Sequence, residues 1–133
     1  MVNPMVKEPR RTGLADGKFH ACPHKQVCVS TMSSKDDKMH YIEPIKYDGN
    51  IEDTMKKIVQ VVNSLKRTKI LEKTESYLHV VFSTALFRFK DDVEFLINDE
   101  EKLIHFRSQS RIGGYDWNAN RKRMEKFRYL FTK

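Results

Sequence analysis

The sequence predicts a two-layer α+β fold: an antiparallel four-stranded meander sheet with two amphipathic helices on one face, preceded by an irregular N-terminal arm. Three observations predict it. Apolar residues recur at helical spacing from Met55 to Leu65, short segments between Lys69 and Ser108 alternate apolar and polar, and a second helical stripe runs from Trp117 to Phe131. Residues 1–19 carry Pro4, Pro9, Gly13 and Gly17 with no period of 2 or 3.6, which predicts a flexible arm, and residues 20–133 read as a single α+β domain. Residues 20–47 are also non-periodic, with a polar run from Ser30 to Lys38. A stretch that long inside a compact domain is commonly a working loop or unstructured.

The first helix is expected from about Asn50 to Arg67. Met55, Ile58, Val59, Val62 and Leu65 form its apolar stripe, Asn50 is a good N-cap, and Glu52 and Asp53 sit where the helix dipole favours negative charge. From Thr68 the period falls to two. Lys69–Lys73 and Tyr77–Thr84 are strands joined by a tight turn at Glu75-Ser76. Phe87 and Phe89 extend the alternation of the second, so this strand is expected to run long and bent, with Arg88 on it. Asp91-Asp92 then reads as a turn or bulge. Val93, Phe95 and Ile97 mark a third strand. Leu103–Ser108 is the fourth, with Ile104 and Phe106 on one face and His105 and Arg107 on the other. Short links between consecutive strands argue for a meander.

Gly113-Gly114 breaks the strand pattern. A last helix follows, with Trp117, Met124, Phe127 and Phe131 on one face. Asn120 falls within that apolar face. A buried amide needs partners, so Asn120 is expected to cap the helix or to be held by the loop before it.

The composition sets bounds. At 133 residues the chain is long enough for one domain with a real core, and 39% hydrophobic residues is too apolar for a fully disordered chain. No segment approaches the length of a membrane span, and residues 1–18 do not read as a secretory signal, so the expected setting is cytoplasmic. The net charge is 25 − 18 = +7, which attracts anions of any kind or serves solubility alone. Two cysteines, Cys22 and Cys28, in a chain read as intracellular are expected to be reduced.

Four segments carry a resemblance. His40-Tyr41-Ile42-Glu43-Pro44, the run Leu86 to Phe95, and Arg107 to Gly113 followed by Asp116 and Asn120 to Arg123 are similar to motifs of the domain of unknown function 1499 family, and Cys22-Pro23 to Ser30 resembles its opening motif. The resemblance spans about residues 20–131, with the motifs in the family's order. Ala119 stands where the family pattern has glycine. The resemblance implies positions and not roles, because the family brings no activity with it.

The strongest candidate site is the cluster Arg88, Arg107, Ser108, Ser110, Arg111, Asp116, Asn120 and Arg121. Guanidinium groups grip carboxylate and phosphate in a bidentate fork, and the turn before a helix offers free N–H groups, so such a cluster suits an anionic ligand. The competing reading is a structural network in which the arginines pair with Asp91, Asp92, Glu94 or Asp116. Those carboxylates could instead be an acid/base pair, since crowded carboxylates raise one another's pKa. His20, Cys22, His24 and Cys28 form H-x-C-x-H-x3-C, tighter than usual zinc layouts, and no metal or other cofactor is expected. Arg121, Lys122, Arg123, Lys126 and Arg128 make the last helix basic, but no base-reading or stacking motif accompanies them, so nucleic acid is not the expected partner. Three functional readings stand. One is a module binding a small anionic ligand or an acidic protein partner. Another is a hydrolase-like enzyme using Asp91, Asp92 or Glu94. The third is a purely structural or interaction protein.

Overall fold

The computed structural model of the protein describes residues 12–133, so residues 1–11 of the expected arm lie outside the described residues. Strands β1 (Leu14–Ala15) and β2 (Lys18–Phe19) form a small hairpin. The chain continues through β3 (Cys28–Ser30), β4 (Ile45–Lys46), α1 (Ile51–Ser64), β5 (Thr68–Lys73), β6 (Tyr77–Ser83), β7 (Lys90–Asn98), β8 (Leu103–Ser110) and α2 (Ala119–Thr132).

The fold is α+β with two helices, and the antiparallel meander is present as β5-β6-β7-β8. The sheet is larger than the four strands expected, with six. β3 pairs with β8 from Arg107 to Gln109, and β4 pairs with it at Leu103 and Ile104. Strands of two or three residues are too short for alternation to show, which is why they hide in the non-periodic 20–47 segment. They satisfy backbone groups of β8 that an open edge would leave unpaired.

Asn50 caps α1 as expected, its side chain accepting from the Asp53 N–H at 2.8 Å. The helix ends at Ser64, three residues before Arg67. Leu65 is extended, its N–H reaching back to the Val62 carbonyl, and Arg67 takes φ 60° to turn the chain into β5. Met55, Ile58 and Val62 pack with Leu78, Val80, Val93, Phe95, Ile104 and Phe106 of the sheet in one core, which α2 completes with Met124, Phe127 and Phe131. No described helix is long and apolar enough to cross a membrane.

Four expectations are corrected. The second strand is not long and bent. It stops at Ser83, because Thr84 and Phe89 close a loop on each other, the Thr84 N–H to the Phe89 carbonyl and the Phe89 N–H to the Thr84 hydroxyl. Arg88 therefore sits in that loop with φ 56°, not on a strand, and Asp91 and Asp92 are strand residues of β7 rather than a turn. Trp117 lies outside α2 and is exposed. The backbone is left-handed at both Trp117 (φ 53°) and Asn118 (φ 63°), so the positions that would favour glycine are 117 and 118, while Ala119 is the first residue of the helix. Finally, Cys22 and Cys28 are disulfide-bonded rather than reduced, since the chain bends back through Pro23–Val27 to bring their Cα atoms within 5.7 Å. A bonded pair is the state that oxidising compartments maintain, so these cysteines lend no support to a cytoplasmic setting. Nor does the H-x-C-x-H-x3-C run offer a thiolate to a metal.

Candidate functional site

Alternation gives the sheet two different faces. One carries the apolar core. On the other, Glu94 stands opposite Arg107, Asp92 opposite Gln109, and Tyr77 and His79 on β6 share that side. This polar face is largely buried, with segment 13–28 reaching it: the Gly13 N–H donates to Glu94 Oε2 at 2.8 Å, and Arg107 Nη2 donates to the Ala21 carbonyl at 3.1 Å.

The eight candidate residues do not converge. They fall into four groups. Arg107 is 1% exposed and paired with Glu94, which is 0% exposed. Its Nη1 lies 3.6 Å from Glu94 Oε1, an ionic contact too long for a hydrogen bond, and Glu94 Oε2 also accepts from the Tyr77 hydroxyl. Burial, followed by the neighbouring carboxylate, pushes the Tyr77 hydroxyl far above its ordinary pKa.

The second group is a hub on the core side, where α2 begins. Asn120 accepts from the Ser108 hydroxyl and from Arg123, and its amide donates to the Val27 carbonyl, Ser110 and Asp116. Arg123 runs on to Asp91 and so ties α2 to β7. The loop thus holds Asn120, one of its two expected roles. Arg121 stands apart from all of these, donating to the carbonyls of Lys38 and Met39.

The last group, Arg88 and Arg111, lines an open groove of about 470 Å³ at one end of the sheet, together with Arg67, Lys69 and Lys90. Thr68 and Ser83 add hydroxyls, and Leu71 and Val81 add apolar surface. Among the described residues, five cationic side chains share this groove, and its lining contains no acid. Arg111 is tied by a bidentate fork to Asp92, at 2.9 and 3.0 Å. Arg67 spends one N–H on the Ser83 carbonyl. Among the described residues Lys69, Arg88 and Lys90 form no ion pair. Sequence reasoning missed Arg67, Lys69 and Lys90 here, and Arg123 in the hub. Only the register that places Ser83 opposite Lys90 and Lys69 opposite Val81 brings the three groove residues together.

Asp92 bridges the polar face and the groove, since His79 Nε2 also lies 2.8 Å from its Oδ1. Burial alone would raise its pKa, but the hydrogen bonds from His79 and Arg111 outweigh burial and lower it from 3.8 to about 2. A group with a depressed folded pKa binds fewer protons folded than unfolded, so its stabilisation is complete above about pH 4 and is lost as pH falls towards 2. The shift corresponds to about 2 kcal/mol. In a denaturant series across that window, Asp92→Asn should show a shallower loss of stability than the wild type, from a lower starting point at neutral pH. Parallel slopes would contradict the assignment.

The geometry defines a small α+β domain with a buried ionic pair on one side of its sheet and a basic groove at the sheet's end. The family model described as protein of unknown function (DUF1499) matches residues 18–131, and the chain belongs to that family. No curated protein matches it.

Proposed function

We propose that the domain binds a multiply charged anion of phosphate or carboxylate type in the groove lined by Arg67, Lys69, Arg88, Lys90 and Arg111. One observation carries this reading: among the described residues, five cations gather around a groove whose lining holds no acid, and of the five Arg111 alone is ion-paired there, with Asp92 behind it. Like charges held together repel, and an anion among them relieves the repulsion. Arg111, already fixed by Asp92, supplies a rigid guanidinium edge, while the lysines supply mobile charge. The acidic end of a protein partner would meet the same chemistry.

The acid/base reading gains no support from the geometry. Asp91 lies on the core side with Arg123, and alternation puts Asp92 and Glu94 on the opposite face, each held by its own cation. The structural reading fits Arg107 and the Asn120 hub well, but it does not account for Lys69, Arg88 and Lys90.

A thermal-shift series at constant ionic strength tests the proposal with phosphate, sulfate and dicarboxylates. An anion that binds should stabilise the fold by about 2.7 kcal/mol at a hundredfold excess over its dissociation constant. The rise is expected in the wild type and absent in Lys69→Gln/Lys90→Gln. Equal responses to every salt, or an unchanged response in the variant, would count against it.

A further inference from the structure

The end of the sheet that carries the groove also carries apolar side chains with no place in the core. Ser83 pairs with Lys90 and Asp91 with Ser110, so the 84–89 loop and the 111–118 segment leave the sheet at the same end. In the loop, Leu86 is 80% exposed and Phe87 68%, and Phe87 stacks on Phe89 with ring centroids 5.4 Å apart. The segment adds exposed Ile112, Tyr115 and Trp117, the last two edge to face at 4.8 Å. The bonds between Thr84 and Phe89 hold the loop's two ends together, so its apolar tip stands on a fixed base. Clustered apolar exposure of this kind marks an interaction surface.

The charge around this tip identifies the occupant. Arg88 lies between Phe87 and Phe89 in the chain, and Lys69, Lys90 and Arg67 flank the loop in the groove. An aliphatic and aromatic tip ringed by cations, with tryptophan and tyrosine beside it, suits the interface of an anionic bilayer. There the aromatic rings sit at headgroup depth, the apolar side chains reach the acyl boundary, and the cations meet lipid phosphate. A nucleic acid would use the cations and the rings, but it has no use for Leu86, the most exposed large apolar side chain among the described residues.

We propose that this end of the sheet docks on an anionic lipid bilayer, with Leu86, Phe87 and Phe89 entering the acyl boundary and the basic groove taking lipid phosphate. The proposal rests on the anion-binding reading of the groove and names the source of the anion. Vesicle sedimentation tests it, using phosphatidylcholine alone and phosphatidylcholine mixed with phosphatidylglycerol. Trp117, the chain's single tryptophan, serves as the optical reporter. The wild type should sediment with the anionic vesicles, less so as salt is raised, and Trp117 emission should shift to the blue on binding. Leu86→Ser/Phe87→Ser/Phe89→Ser alters only side chains outside the core. It should lose roughly tenfold or more in partitioning while keeping the wild-type response to inorganic phosphate. A wild type that responds to phosphate but ignores anionic vesicles would overturn the docking proposal and leave the groove reading intact. Failure of both responses would remove both readings. Triple-variant binding equal to wild type, or binding of a single-stranded oligonucleotide without binding of vesicles, would also overturn docking.

Discussion

Arg107→Ala is expected to destabilise the fold by about 3–5 kcal/mol, the cost of removing one partner from a buried ion pair. Glu94 has no access to solvent and would keep the Tyr77 hydroxyl and the Gly13 N–H but lose its only described cation. The pair is itself imperfect. Among the described residues, Glu94 Oε1 and Arg107 Nε and Nη1 make no hydrogen bond, and burial lowers the Arg107 pKa despite the neighbouring carboxylates. A buried pair that is incompletely hydrogen-bonded is costly to break by halves and much cheaper to replace whole. Glu94→Leu/Arg107→Met should therefore recover most of the stability lost in either single variant, as read from the denaturant midpoint. Additive losses would show that the two side chains are not coupled. Because Arg107 lies outside the groove, Arg107→Gln, if it folds, should keep the response to phosphate.

Asn120→Ala is expected to cost about 3 kcal/mol or more, because it strands several buried groups and each unsatisfied one costs about 1–3 kcal/mol. The amide is 0% exposed and serves the Val27 carbonyl, Ser108, Ser110, Asp116 and Arg123 together. These partners come from β8, from the chain just before β3, from the turn before α2 and from α2 itself. Removing the amide loosens the joint between helix and sheet as well as one contact. Loss of amide-exchange protection in the first turns of α2 should accompany the lowered midpoint. A loss below about 1 kcal/mol, within the range of an ordinary surface change, would mean that the hub is redundant.

The two helices and the four meander strands were legible because each has a period long enough to read. Met55, Ile58 and Val62 announce α1, and Val93, Phe95 and Ile97 announce β7. β3 and β4 carry too few residues for any period. The loop at 84–89 misled for the opposite reason: Phe87 and Phe89 continue an alternation that the backbone abandons at Ser83, and their apolar character belongs to the surface. Asn120 stood out as a polar residue on an apolar face, and that anomaly marked a real hub. The arginines were harder. Arg88, Arg107, Arg111 and Arg121 look alike in sequence, yet one is buried against Glu94, one braces carbonyls of the 38–39 segment, and two border the groove. Their separation follows from strand parity and register. Arg107 points to the buried polar face, whereas Lys90 and Ser83 meet only because β6 and β7 pair at their ends.

If the groove at this end of the sheet is the anion site, a titration of the isotope-labelled protein with phosphate, followed residue by residue in amide correlation spectra, will locate it. Saturable shifts are expected at Arg67, Lys69, Arg88, Lys90 and Arg111, with Arg107 and Arg121 unmoved. Shifts scattered over the basic face of α2, or centred on Arg107, would contradict that assignment.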